Sequence, residues 1–344
     1  MSAASSRPGT VRRFETPVIL VAGLAFLVLL ATWVPGIVSP RSIAQLMIWV
    51  VLVVGLYTFS GLSGIISFGQ TTFSTIAAYC VAWLTLNPFV KASSMPGLPQ
   101  FILSASLHPL ASAAISIAVA AAIGLVVALA VMRLAGEAAT IATFALLIVV
   151  NSIYGNWNSV TGGMSSIVGI PIVVGVWIAF GTAVLAIVVA YAFQTSRGGL
   201  MLQASRDDEV AARASGIEVK RWRIIAFVIS AALMGLGGVV QAHFLGVISV
   251  ESFYLGTTFM TLAMLVVGGR SSLTGAVVGA VILSLVTSVL RGLERGVELG
   301  SVNLQIPSGI QEVALGALML VMLVRRRRGL CGLWEARFSR GDAD

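Results

Sequence analysis

Apolar runs about 20 residues long, the length of helix that crosses a bilayer's hydrocarbon core, recur from Pro17 to Val324 and constrain this chain more than any other feature. They are continuous and do not alternate, so each satisfies its backbone polar groups as a helix and not as a strand of a closed barrel. They are too long for signal-peptide cores and too many for the interior of a soluble domain. Composition agrees: 58% of the 344 residues are hydrophobic and 10% are charged, against roughly 25% charged in soluble domains. The expected fold is all-α, one polytopic membrane helix bundle over residues 1–344 with about ten transmembrane helices.

The expected spans are Val18–Val34, Ile43–Phe59, Thr71–Leu86, Leu110–Met132, Ala138–Tyr154, Ile172–Phe193, Ile224–Val247, Gly256–Val267, Leu273–Leu290 and Ser308–Val324. Pro- and Ser-containing sequence from Asn87 to Pro109 leaves the membrane. The segment Ser60–Gln70, SGLSGIISFGQ, interrupts an apolar stretch with Gly61, Gly64 and Gly69. Such breaks are tolerated at membrane depth only against protein or a water-lined cavity, and this one is long enough to be re-entrant.

The formal charge of +8 bears on orientation and not on nucleic acid, because the bases are confined to certain loops. With the first residues inside and ten alternating spans, all 21 lysines and arginines except Arg41, Lys91, Arg291 and Arg295 fall on the inner side. That asymmetry places a cytoplasmic arm at 1–16, a charged cytoplasmic loop at 194–223 and a basic cytoplasmic tail at 325–344, both termini inside.

Between expected spans a densely charged stretch breaks the apolar pattern at Arg197–Arg223, RGGLMLQASRDDEVAARASGIEVKRWR. Ser205 and Asp208 have the S-x-x-D spacing of a capping box. Gly216 is placed for a left-handed stop. The spacing predicts a short helix over Arg206–Ser215, with Asp207, Asp208 and Glu209 in its first turn, where the helix dipole favours acids. A capped, charged helix between two spans is a docking element, although a solvated face is the plainer alternative.

Several functions are argued against. No stretch fits G-x-x-x-x-G-K-[ST], and Lys91 and Lys220 are the only lysines, so an ATP-driven process would need its ATPase on another chain. His108 and His243, the only histidines, have no acids or cysteines at ligand or relay spacing, and Cys80 and Cys331 are not brought together by their placement. No cofactor or metal is expected. A proton path would require intramembrane carboxylates, for which Glu137, near a span end, and Glu312, in the last span, are the candidates.

Glycine clusters have two readings. Gly235, Gly237, Gly238, Gly275 and Gly279 suit either close helix packing or a functional break. Clustering with Ser, Gln and Thr favours a conduit or its mouth at Gly61, Gly64, Gly69, Gln70, Thr161, Gly162 and Gly163.

From about Leu56 to Leu333 the order of motifs resembles the permease family of bacterial ABC importers for branched-chain amino acids, specifically its larger permease subunit. The resemblance is carried by Ser205–Gly216 running into RWRIIAFVISAALMGLGGVVQAHFLGVISVESF and by VVGGRSSLTGAVVGA, Val266–Ala280. SGLSGIISFGQTTF, NWNSVTGGMSSIVGIP and RRGLCGL support it. Ala138–Ala139 and Met164–Ser166 depart from the family pattern close to the expected conduit.

The resemblance implies a type II-like ABC importer permease in the bacterial cytoplasmic membrane. Its implied partners are a second permease subunit, two cytoplasmic ATPase subunits, an extracytoplasmic solute-binding protein and membrane lipid. It also implies that the 206–215 helix is the coupling helix, with Arg206, Asp207, Asp208, Glu209, Ala212 and Gly216 as ATPase-coupling residues. Two alternatives stay open: a carrier or facilitator that works without an ATPase, and an ABC permease for a sugar, urea or short amide.

Overall fold

The structure, a computed structural model, describes residues 15–33, 39–134, 136–294, 297–299, 302–304, 316–317, 325, 329–332 and 335. Within them α1 spans Glu15–Trp33 and α2 spans Pro40–Leu56. Ser39 caps α2 by accepting from the Ser42 amide, ahead of Pro40 in the first turn, where a missing amide costs nothing. A π-helical turn, Tyr57–Gly61, ends this rod, and α3 is Thr71–Thr85. Two short helices follow, α4 at Pro88–Ser94 and α5 at Gln100–Ser104, then α6 at Pro109–Val131, α7 at Glu137–Asn156 and the single turn α8 at Asn158–Thr161. Strand β1, Ile167–Val168, precedes α9, Val176–Gln194. After it come α10 (Arg197–Asp207), α11 (Glu209–Ala214), α12 (Val219–Leu245), β2 (Val247–Ile248), α13 (Leu255–Gly268) and α14 (Leu273–Glu294).

Nine of the ten expected spans therefore have a helix close to where the apolar runs place one. Seven helical segments among the described residues are long and apolar enough to cross a membrane. α1 is apolar over a shorter stretch, Glu15–Leu30, and α3 has 15 residues. The expected tenth span, Ser308–Val324, with Glu312, lies outside the described residues except at 316–317, as do the arm up to residue 14 and most of the tail. Two starts differ most: the seventh span's helix begins at Val219 and not at Ile224, and the sixth begins at Val176 and not at Ile172. The Gly169 and Ile170 amides both donate to Gly246 O, and β1 pairs with β2, so the chain through Pro171 is held extended against the end of α12.

The packing is that of a protein whose solvent is lipid. Within their most apolar 18-residue stretches, 89% of the α2 rod and 72% of α12 lie buried, against only 28% of α6 and 22% of α7. Ile123, Val126, Ile141 and Val149 stand exposed on α6 and α7. In water that surface would cost roughly 25 cal/mol per Å², but against acyl chains it costs nothing. With no hydrophobic drive between spans, association relies on close backbone approach and hydrogen bonds. A Cβ on Gly238 of α12 would lie 2.2 Å from Ser74 O of α3. Around this crossing the Ser74 hydroxyl donates to Met234 O at 2.8 Å and the Ser230 hydroxyl donates to Gly55 O at 2.6 Å. Close packing is thus the role of Gly238, and of Gly279, whose Cβ would lie 2.0 Å from Met264 O.

The two ends of the bundle differ in chemistry. α10, α11 and the Gly269–Ser272 turn gather at one end with Arg206 and Arg270, the basic end. At the opposite end lie β1, β2, α8 and the α4–α5 hairpin, where Gly97 N donates to Ser159 O and the Trp83 indole donates to Val160 O.

Candidate coupling and conduit sites

The charged loop is built differently from the single helix expected over Arg206–Ser215. Ser196 starts α10 early, its hydroxyl accepting from the Gly199 amide at 3.1 Å. Gly198 then packs so closely on the Trp222 ring that a Cβ would lie 2.2 Å from it. These tertiary contacts carry the helix through Ser205, which therefore caps nothing. Its hydroxyl is buried and donates to Leu202 O at 2.7 Å. The break falls at Asp208, with φ −152° and ψ 107°. Its Oδ1 accepts from the Val210 amide at 2.9 Å and the Ala211 amide at 3.0 Å, an N-cap for α11. Arg206 and Asp207 thus end one helix, Glu209 opens the next, and Asp208 is the joint.

The stop at Gly216 is as expected. Its φ is +81°, Ile217 N donates to Ala212 O and Gly216 N donates to Arg213 O, which together form a Schellman motif. Ala212 is buried, while Val210 on the outer face of α11 is 79% exposed.

Two charged contacts tie this loop to the bundle, and neither was visible in the sequence. Glu209 Oε2 accepts from Arg223 Nη2 at 2.7 Å, and Oε1 accepts from Arg223 Nη1 at 3.3 Å and from Arg213. Arg223 is 5% exposed, so the pair fixes α11 on the first turns of α12. The Arg223 hydrogen bond, aided by the charges of Arg223 and Arg213, holds the Glu209 carboxyl below its ordinary range although burial opposes this. Separation in sequence hid the pairing, because 14 positions divide the partners.

The second tie is Arg206. Its Nη1 donates to Gly61 O at 3.0 Å, and its Nε contacts Asp207 Oδ1 at 3.3 Å. Its stem fills the space over Gly64, where φ is +78° and a Cβ would lie 2.7 Å from Arg206 Cγ. Gly61 closes the π-helical turn, with Arg270 O 2.6 Å from where its Cβ would be. Two groups that looked separate in the sequence, the coupling set and the first glycines of the break, are therefore one contact.

Beyond Gly64 the chain runs without helix through residues 64–69 and enters α3 at Thr71. Gly69 abuts α7, its would-be Cβ 2.3 Å from Thr143 O. Gln70 is 1% exposed, and neither end of its carboxamide has a hydrogen-bond partner among the described residues. Tyr57 OH, Ser67 Oγ and Thr72 Oγ1 are likewise buried with no partner among the described residues. Each such group costs about 1–3 kcal/mol unless something polar meets it. The break thus concentrates unmet polar capacity inside an apolar bundle.

Thr161, Gly162 and Gly163 lie elsewhere, at the opposite end. The Thr161 hydroxyl donates to Tyr154 O at 2.6 Å and Trp157 O at 2.8 Å. Gly162 ends α8 with φ +70°. α3 connects the two groups, with Gln70 before its first residue and Trp83 bonded to Val160 near its last turn, about 20 Å apart by helical rise. Glu137 is exposed in the first turn of α7.

The description "Branched-chain amino acid transport system / permease component" belongs to the family that matches residues 40–323. The high-affinity branched-chain amino acid transport system permease protein LivM of Escherichia coli (strain K12) is 28% identical, the alignment covering 89% of this chain and 73% of that protein. Its counterpart in Salmonella typhimurium is 27% identical over the same shares. A polytopic helical bundle matched to that family over nearly all its described spans belongs to the branched-chain amino acid transport permease family.

Proposed function

We propose that this chain is the permease subunit of an ATP-driven importer for branched-chain or other hydrophobic amino acids, coupled to separate ATPases through α10 and α11. It forms the conduit with a second permease subunit, in the bacterial inner membrane, with both termini and the charged loop in the cytoplasm. A solute-binding protein delivers substrate from the other side. The LivM relatives support the substrate class, and the confinement of Arg206, Arg213, Arg223 and Arg270 to one end supports the orientation.

The observation that carries this reading is the Arg206–Gly61 contact, because it joins an exposed docking element to the broken span after α2 at its break. Closure of an ATPase pair displaces α11 by its exposed face. Glu209 and Arg223 pass that displacement to α12, and Arg206 passes it to the break after α2. Rigid helices convey such shifts as small translations and rotations. Gln70 and its unpartnered neighbours lie next along the chain, where a changed packing admits a polar solute.

The orphaned polar groups at the break also suit a carrier that needs no ATPase, and reconstitution separates the two. The permease pair in vesicles without ATPases should show no flux of leucine under any gradient. With ATPases, binding protein and ATP it should accumulate leucine. Gradient-driven uptake by the permeases alone overturns the proposal.

A further inference from the structure

Residues 329–332 and Glu335 pack onto the basic end of the bundle. The Leu330 and Cys331 amides donate to Val267 O and Gly268 O, both at 2.9 Å, so they satisfy two of the final carbonyls that α13 leaves open. Gly329 meets Gly269 so closely that a Cβ would lie 2.5 Å from Gly269 Cα.

Glu335 then does two things with one carboxylate. Oε1 accepts from the Leu273 amide at 2.9 Å, and Oε2 accepts from the Thr274 amide at 3.3 Å and the Thr274 hydroxyl at 2.8 Å. That is a cap on α14 with a full negative charge at the positive end of the helix dipole. Oε1 also accepts from Gln194 Nε2 at 3.1 Å, and Gln194 is the last residue of α9.

Only Thr195 and Ser196 separate α9 from α10. A pull on α10 can therefore bend the chain at these two residues unless the end of α9 is held. Glu335 holds it to the start of α14. Contacts then close a ring around the basic end: α9 through Glu335 to α14, the Arg270 turn to Gly61, and Gly61 through Arg206 back to α10.

We infer that Glu335 is a positioning residue for coupling, one that makes α9 and α14 move together when the loop is displaced. This rests on the permease reading above. It predicts that loss of the tie leaves ATP hydrolysis running while import falls behind.

The test uses the full transporter, permeases with ATPases and binding protein, in vesicles, and reads ATP hydrolysed per leucine imported, ATPase association and the thermal midpoint of the permease. Gln194→Ala removes the tie to α9 and leaves the α14 cap in place. It should raise the ATP cost per leucine about tenfold, the weight of one hydrogen bond to a charged group, with hydrolysis and association unchanged and the midpoint lowered by no more than the loss of that one bond. Glu335→Ala should raise it further, and Glu335→Gln, which keeps an acceptor oxygen, should fall between. Wild-type stoichiometry in Gln194→Ala overturns the inference. So does a parallel fall of hydrolysis, import and midpoint, which would make the contact a structural staple only. A wild-type arm that imports without hydrolysis overturns the permease reading and this inference with it, and no variant is needed to see it.

Discussion

At Asp208 one side chain decides where a helix ends and the next begins. Its carboxylate serves two amides that α11 would otherwise leave open, so Asp208→Ala should destabilise α11 by about 1 kcal/mol, and Asp208→Asn, which keeps the acceptor, by much less. Hydrogen exchange at Val210 and Ala211 reads this directly, and unchanged protection in Asp208→Ala would contradict it. Glu209 gives a second test through pH. Folding lowers its pKa, so its contribution is complete above the ordinary carboxylate value and is lost as pH falls through the depressed one. Protection of α11 amides, corrected for intrinsic rate, should stay level from about pH 8 to about pH 5 and decline below about pH 4. Glu209→Gln should show no such decline, and an identical decline in both proteins would remove Glu209 as the cause.

Whole elements were more legible in the sequence than the joints between them. Apolar length located nine helices because a span must be about 20 residues long whatever it packs against. α10 escaped notice because its first turn holds Gly198 and Gly199, poor helix formers kept helical by Trp222 and the α9 terminus. The Ser205–Asp208 spacing misled for the same reason: a capping box is a local signal, and tertiary packing extended the preceding helix through it. Glu335 and Arg223 could not be read at all, since their partners are distant in sequence. The α4–α5 hairpin is a further case. Lys91, fully buried, donates its ammonium protons to Ile102 O and Ala105 O, and burial lowers its pKa. Lys91→Met keeps the stem and removes both bonds, so amide exchange across Gln100–Ser104 should quicken at least about tenfold. Exchange at the wild-type rate would show that the hairpin is held by Met95 and Leu98 instead, which are buried in the turn between α4 and α5.

At the scale of the molecule, a densely charged stretch is exposed at one end and a stretch with several unpartnered polar groups is buried inside, and among the described residues Arg206 links them. That arrangement makes sense if displacement enters at α11 and changes packing at the break after α2. The Val210 side chain stands 79% exposed on α11 while its amide is held by the Asp208 cap, and on the proposed reading it is a position that a motor would grip. The most direct measurement is disulfide cross-linking of Val210→Cys, with Cys80 and Cys331 replaced by alanine, to single cysteines on the ATPase in inner-membrane vesicles. The account predicts a cross-link whose yield changes with ATP, and no labelling of Val210→Cys by a membrane-impermeant thiol reagent added outside intact cells. Labelling from outside, or active uptake with no cross-link in any nucleotide state, would contradict it.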